Sequence, residues 1–126
     1  MKYLLDTHIL LWAAAGNLPK MARKFFEEKN ELYFSSASVW EVVIKRMRNK
    51  DDFLIDPKTF CSRLLEAGYK ELPVTVRHAL LLESLPEIHK DPFDRIMLSQ
   101  ALSEGMDFIT ADEKIAEYPC PVVFVR

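Results

Sequence analysis

Four acidic residues stand where apolar, strand-like segments give way to helical ones. Asp6 follows the apolar run of "KYLLDTH", Glu41 lies in "SSASVWEVVIK", Asp94 in "HKDPFDRIMLSQA" and Asp112 in "FITADEKI". If the apolar segments are parallel neighbouring strands, about 4.8 Å apart, their carboxyl ends meet at one edge of a sheet. The four carboxylates would then converge at that edge.

Clustered carboxylates repel one another, so some must take up protons unless a cation compensates them. A site made of carboxylate oxygens suits Mg²⁺ or Mn²⁺. Mg²⁺ held by a few carboxylates commonly assists the hydrolysis of phosphodiesters. The pattern therefore predicts a hard divalent metal site with hydrolytic chemistry.

Helix capping offers a second explanation for each acid. The segments Ser38–Glu41 and Thr110–Glu113 both match the S/T-x-x-E capping box, in which the hydroxyl and the carboxylate cap a helix start. Asp91 fits an N-cap position, followed by Pro92 at the first helical position and Asp94 in the first turn. Capping alone would account for these residues without a metal.

The elements that must position these acids alternate along the chain. Short apolar runs predict strands at 2–5, 32–35, 71–74, 108–110 and 122–125. Amphipathic patterns predict helices at about 8–15, 19–29, 37–49, 57–67, 75–83, 92–104 and 112–117. This alternation predicts an α/β fold with a parallel sheet covered on both faces, in which ligands bind beyond the carboxyl ends of the strands.

Composition sets further bounds. A length of 126 residues with 49% apolar residues indicates one compact domain over 1–126 with a real core. The net charge of −2 does not indicate a basic nucleic-acid binder, although a local patch would suffice. Cys61 and Cys120 have no metal or redox spacing, which favours a reduced, cytoplasmic protein. The N-terminal apolar run is too short and too interrupted for a signal peptide, and no run is long enough for a membrane span.

Taken together, these pieces resemble the PIN-domain ribonucleases, and most closely the toxin subunits of VapBC-type toxin–antitoxin pairs. The resemblance rests on "LLDTHILLW", "SSASVWEVVIK", "LPVTVRHALLLESLPEIHKDPFDRIMLSQA" and "ITADEKI", which occur in the family's order. The segment "HKDPFDR" followed by "ITAD" is the most specific part. The resemblance implies a three-layer α/β/α sandwich around a parallel sheet.

The resemblance also implies the site and its partners. It places the catalytic, metal-binding acids on Asp6, Glu41, Asp94 and Asp112, with Asp91 as an additional metal ligand. Hydroxyl groups that orient ligands or water fall on Thr7, Ser38 and Thr110. The implied activity is cleavage of RNA with Mg²⁺ or Mn²⁺. The implied partners are a second copy of the chain and an antitoxin, held in a groove that we expect to involve Leu10, Leu11 and 79–82.

Cationic side chains near the acids are predicted to contact RNA phosphates; they are Lys45, Arg46, Arg48, Lys50, His89, Lys90 and Arg95. A solvated helix face is an equal explanation for the group at 45–50. Arg95 has two alternatives, an ion pair with Asp91 or Asp94 and a contact with a carboxylate or arginine of an antitoxin. His8 and His89 are weaker candidate metal ligands, because hard cations prefer oxygen. The aromatic residues have core-like helical spacing and are interpreted as core or dimer packing: Trp12, Trp40, Phe25, Phe26 and Phe93.

Two other classes of function remain open at this stage. A phosphatase or receiver-like domain could take a phosphoryl group on Asp6, but a haloacid-dehalogenase-type site would need an acid at position 8, where His8 stands. A non-catalytic α/β binding module would use the acids only as helix caps. A dinucleotide-binding fold is disfavoured because no Gly-x-Gly-x-x-Gly follows a strand.

Overall fold

The computed structural model describes residues 1–27, 29–49, 51 and 53–125. Within these residues, five parallel strands form one sheet in the order β3-β2-β1-β4-β5. Their bounds are β1 Lys2–Leu5, β2 Glu31–Ser35, β3 Lys70–Leu72, β4 Asp107–Thr110 and β5 Val122–Phe124. The predicted parallel α/β sheet is confirmed, and each predicted strand is present within two residues of its predicted bounds.

The described part of the chain has five α-helices between the strands: α1 Thr7–Ala14, α2 Ser36–Arg48, α3 Pro57–Glu66, α4 Val76–Leu81 and α5 Pro92–Glu104. The segments predicted as helices at 19–29 and 112–117 form 3₁₀ helices at Lys20–Phe26 and Ile115–Glu117. Each of the two buries one residue fully, Ala22 or Ile115, so neither has the wide apolar stripe that stabilises a longer α-helix.

The two faces of the sheet carry separate cores. Tyr3 and Leu5 point to one face, where residues of α1, α2 and α3 pack. Leu4 points to the other face and packs with Met97 and Leu98 of α5. Because successive side chains of a strand alternate between faces, this division gives the three layers that the resemblance implied.

The structure corrects both predicted capping boxes. Ser35, the last residue of β2, caps α2 by accepting a hydrogen bond from the Ala37 N–H at 3.0 Å. Helix α2 thus begins directly after the strand, and Ser38 lies buried inside it. Thr110 ends β4, and the helical turn that follows begins only at Ile115. The predicted cap at Asp91 is confirmed, because its Oδ1 accepts the Phe93 N–H at 2.9 Å.

One expectation about packing is wrong. Leu10 is fully buried in the first core, so it cannot line a groove for a partner. Trp40 is 62% exposed and contacts Phe93 edge-on, with ring centroids 5.0 Å apart. Trp40 therefore lies outside the core, and its alternative role in dimer packing stays a prediction. Among the described helices, none has the length and apolar character needed to cross a bilayer.

Candidate metal and active site

The sheet topology brings distant acids to one edge. Strands β1 and β4 are neighbours, with Leu5 opposite Ile109, and the Asp6 N–H donates to the Ile109 carbonyl at 3.0 Å. Asp6 therefore lies beside Thr110 at the carboxyl edge of the two strands. Helix α2 begins at the same edge, after β2, and carries Glu41.

Asp6 is the most deeply buried of the four acids, with 3% of its surface exposed. Its Oδ2 accepts a hydrogen bond from the Thr110 hydroxyl at 2.7 Å. Its Oδ1 is buried and has no hydrogen-bond partner in the described part of the chain. Burial raises the pKa of Asp6 above its ordinary value, although the Thr110 hydrogen bond opposes that shift. A buried carboxylate oxygen without a donor is a position that a cation would satisfy.

Glu41 is held by a chain of hydroxyl groups. The Thr7 hydroxyl donates to Glu41 Oε1 at 2.7 Å, and Ser38 Oγ lies 2.8 Å from Thr7 Oγ1. Since a threonine hydroxyl has one proton and the carboxylate can only accept, Thr7 Oγ1 can act towards Ser38 only as an acceptor. The Ser38 hydroxyl also lies 3.3 Å from Met97 Sδ, a second acceptor for its proton. The Lys45 ammonium lies 3.7 Å from Glu41 Oε2. Thr7 and Ser38 thus orient this acid, while the role of Glu41 as a metal ligand stays a prediction.

Asp94 lies in the first turn of α5, where the Asp91 cap and Pro92 fix the start of the helix. Burial, followed by the charges of Asp6, Asp91, Glu41 and Asp112 in that order, raises the pKa of Asp94 to about 8. The negative charges of these four acids act on Asp94 because they lie at the same edge of the sheet. Asp91 itself uses Oδ1 to cap the helix.

Asp112 stands at the rim of the site, with 38% of its side chain exposed. Its Oδ1 accepts the Lys114 N–H at 2.8 Å, and His89 Nε2 lies 3.0 Å from its Oδ2. Burial favours a higher pKa for Asp112, but the hydrogen bonds from Lys114 and His89 outweigh it, and the pKa lies below its ordinary value. His89, Asp94 and Asp112 each offer a ligand atom within 4.8 Å of the others.

The donor set fits a hard divalent cation. Most of its candidate ligand atoms are carboxylate oxygens, and burial raises the pKa of both Asp6 and Asp94. Among the described residues, the buried Asp6 Oδ1 has no hydrogen-bond donor. Mg²⁺ or Mn²⁺ would favour the ionised form of both acids and would bind the oxygen that has no donor. The predicted acids are thus brought to one edge, while their roles as ligands stay predictions.

The predicted cationic contacts fall into different environments. Lys45 borders Glu41, and Lys90 and Arg48 are exposed. Arg46 donates to the Leu54 carbonyl at 3.4 Å, and Lys50 lies outside the described residues. His8 is exposed at the start of α1 and interacts electrostatically with Asp6.

Arg95 contacts main-chain carbonyls in place of the predicted ion pair. Its guanidinium donates to the Pro86 carbonyl at 2.8 Å and to the Tyr118 hydroxyl at 3.1 Å, with longer contacts to Leu82 and Leu85. It therefore fastens the 82–86 loop, with its donors turned to main-chain carbonyls. No ion pair joins it to Asp91 or Asp94 in the described chain. Sequence reasoning missed Tyr118 entirely, because an isolated tyrosine in a turn carries no distinguishing signal.

The fold is similar to that of known proteins. A model of the PIN-domain family matches residues 3–119. The VapBC2 complex of Rickettsia felis, bound to a promoter DNA fragment, has a chain with a TM-score of 0.75 and 15% identity, with all of both chains covered. The DNA-bound VapBC complex of Salmonella typhimurium gives 0.70 and 16%, covering 98% of each chain.

A toxin–antitoxin complex of Klebsiella pneumoniae gives a TM-score of 0.64 and 21% identity, covering 96% of this chain and 95% of that one. A comparison with curated protein sequences found no match. The structural similarities establish the fold, and the family model spans most of the chain. The chain therefore belongs to the PIN-domain family.

Proposed function

We propose that this protein is a Mg²⁺- or Mn²⁺-dependent endoribonuclease that acts as the toxin subunit of a VapBC-type pair. The observation that carries the proposal is the convergence of four carboxylates at one sheet edge, with the pKa of Asp94 raised to about 8. Membership of the PIN-domain family supports nuclease chemistry. The toxin–antitoxin complexes with the same fold support the toxin role.

In this proposal Asp6, Glu41, Asp94 and Asp112 hold the cation, with Asp91 as an additional ligand. The bound cation supplies activation of water and neutralisation of charge on the phosphodiester. Thr110 orients Asp6, and the Ser38–Thr7 chain orients Glu41. The raised pKa of Asp94 favours its protonated form without metal, and a bound cation would favour its carboxylate form.

The RNA backbone must approach an acidic site, so nearby cations matter. Lys45 borders Glu41, and Lys90 is exposed next to the Asp91 cap. These two side chains are our candidates for phosphate contacts, with Arg46 as a weaker one because it also contacts the Leu54 carbonyl. Arg95 is not carried forward, because its donors fasten the 82–86 loop.

The proposal keeps a cognate antitoxin, a second copy of the chain and a cytoplasmic setting as its expected context. An apolar groove of about 470 Å³ lies close to the site, between Trp40 of α2 and Phe93 of α5. Exposed Val76 and Leu80 extend the apolar surface along α4. Such patches on a small protein commonly serve as protein interfaces. Co-expression with the protein encoded beside this chain would give a complex and suppress cleavage if the antitoxin role is correct.

The test of the nuclease is cleavage of a mixed RNA pool by purified protein with Mg²⁺, with Mn²⁺ and with EDTA. Asp6→Asn should abolish cleavage, while Glu66→Gln, an exposed acid at the end of α3, should leave it unchanged. Cleavage that persists in EDTA or in Asp6→Asn would contradict the proposal.

The second candidate is a binding module without chemistry, for which the helix cap formed by Asp91 is the supporting observation. It predicts Mn²⁺ binding no tighter than millimolar, together with no cleavage of any RNA. Calorimetric titration of the metal-free protein with Mn²⁺ separates this candidate from a nuclease whose target was missing from the pool.

A further inference from the structure

His89 stands between two of the four acids. Its Nε2 lies 3.0 Å from Asp112 Oδ2 and 3.3 Å from Asp94 Oδ2. A histidine at such distances from two carboxylates can be read as the third ligand of a cation, or as a donor that serves both acids. The hydrogen bond made by the other ring nitrogen distinguishes these two roles.

That nitrogen, Nδ1, accepts a hydrogen bond from the Asp91 N–H at 3.1 Å. A ring nitrogen that accepts carries a lone pair, so the proton of the neutral imidazole is on Nε2. The Nε2–H group then faces Asp112 and Asp94 as a donor. While Nε2 keeps its proton, it has no lone pair to offer a metal ion.

The backbone of His89 is fastened at the same time. The Tyr118 hydroxyl accepts the His89 N–H at 2.7 Å and lies 3.2 Å from the His89 carbonyl, to which it donates. Tyr118 is 4% exposed, and Arg95 donates to its hydroxyl at 3.1 Å. The ring is thus held by side chain and main chain together, so turning Nδ1 towards the acids would break the contact with Asp91.

From this geometry we propose that His89 is a positioning residue for the candidate metal site and not a metal ligand. Its neutral imidazole shares one Nε2–H between Asp112 Oδ2 and Asp94 Oδ2. The shared donor holds the carboxyl oxygens of Asp112 and Asp94 side by side. Each of the two oxygens keeps a second lone pair for a cation. The imidazole ring sets the direction of that lone pair. The inference rests on the proposed function in one respect, namely that these carboxylates bind a cation.

The chain contains its own reference for this arrangement. His78 accepts the Thr75 N–H on Nδ1 at 3.0 Å, and its Nε2 lies 2.9 Å from Glu104 Oε2. The same argument gives His78 the Nε2–H tautomer, in the contact between α4 and α5. His78 therefore supplies the expected spectral signature without belonging to the acidic edge.

The first test is a two-bond ¹H–¹⁵N spectrum of the histidines at neutral pH, without metal and with Mg²⁺. We expect His89 and His78 to give the same Nε2–H pattern, with His89 assigned by the loss of its signals in His89→Gln. The pattern of His89 should persist with Mg²⁺. An Nδ1–H tautomer or a doubly protonated ring at His89, in either state, would overturn the proposal.

The second test measures Mn²⁺ affinity calorimetrically in the absence of RNA. His89→Asn places an amide near the position of Nδ1 and loses the donor to the acids, so we expect affinity to fall about 10- to 100-fold. His89→Gln places its amide near Nε2 and should recover most of that loss. His78→Gln should leave the affinity within about twofold, because His78 is remote from the acids.

The outcomes are separable. Equal loss in His89→Asn and His89→Gln would indicate a metal ligand and overturn the proposal, and so would the absence of loss in both. A wild-type protein that binds no Mn²⁺ would contradict the proposed function instead. The tautomer of His89 in the metal-free protein would still test the donor assignment in that case. Thermal melts of each variant verify that the fold is retained.

Discussion

The acidic edge has two halves that are held by different chemistry. Asp6 and Glu41 form the inner half, where hydroxyl groups of Thr110 and Thr7 donate to buried carboxylates. Asp94 and Asp112 form the outer half, where one imidazole stands between them. The inner donors are anchored in strand and helix ends, whereas His89 lies in the loop before α5.

The difference shows how the fold divides the task of gathering repelling charges. The inner half is fixed by the sheet itself, because Thr110 ends β4 and Thr7 begins α1. The outer half depends on a loop that Arg95 and Tyr118 must fasten. We therefore expect damage to the inner half to affect both stability and metal binding, and damage to the outer half to affect metal binding more than folding.

The largest effect is expected from Asp94→Asn. It removes an acid whose ionised form is disfavoured by burial and by four neighbouring carboxylates, so the metal-free protein should keep or gain stability. Metal-dependent cleavage should fall at least about 100-fold, since loss of a group that merely supports a ligand already costs 10- to 100-fold. Cleavage assays and thermal melts in EDTA check both parts. Asp6→Asn should behave alike; strong destabilisation of both variants in EDTA would favour a capping role.

The next effect is a pH dependence of the metal-free protein. The pKa of Asp94 is raised from 3.8 to about 8 on folding, so the folded state binds this proton more tightly than the unfolded state. Its contribution to stability is therefore present at low pH and is lost progressively between about pH 4 and pH 8. Urea denaturation in EDTA across this range should show the decline. Asp94→Asn should flatten it, and an equal slope in the variant would assign the effect to other groups.

Removing one inner hydroxyl should have a smaller effect. Thr110→Val keeps the side-chain shape and leaves Asp6 Oδ2 buried without its donor. We expect a loss of about 1–3 kcal/mol in the free energy of unfolding, measured by urea denaturation in EDTA. The matched control is Thr59→Val, which removes an exposed hydroxyl bonded to Asp56. A Thr110→Val variant no less stable than the control would show that this hydrogen bond contributes little.

The smallest effect is expected in the outer half. Tyr118→Phe removes the hydroxyl that fastens the His89 main chain, at a cost of about 1 kcal/mol. Mn²⁺ affinity should fall by a few-fold, because His89 then holds Asp112 less firmly. Tyr69→Phe, in the first core, is the control and should leave Mn²⁺ affinity unchanged. A Tyr118→Phe protein with unaltered affinity would show that the loop needs no such fastening.

The sequence predicted the sheet because its strands are short apolar runs, and it predicted the Asp91 cap because Pro92 follows directly. It failed where tertiary neighbours compete for the same side chain. Ser38 and Thr110 both match a capping box, yet they bond to Thr7 and Asp6, residues that only the folded sheet brings close. Arg95 follows Asp94 in sequence, but its guanidinium is turned to the carbonyls of the 82–86 loop. The partner of each side chain depends on the direction in which it points in the folded chain, and a sequence pattern does not specify that direction.

The hydrogen bond between Asp6 and Thr110 joins residues 104 positions apart. The ribosome makes Asp6 104 positions before Thr110. A chain interrupted before Asp107 lacks β4, the Thr110 hydroxyl and Asp112. The acidic edge therefore cannot be complete while the chain is still being translated through these positions. The order of synthesis thus delays completion of the site until β4 and Asp112 have been made.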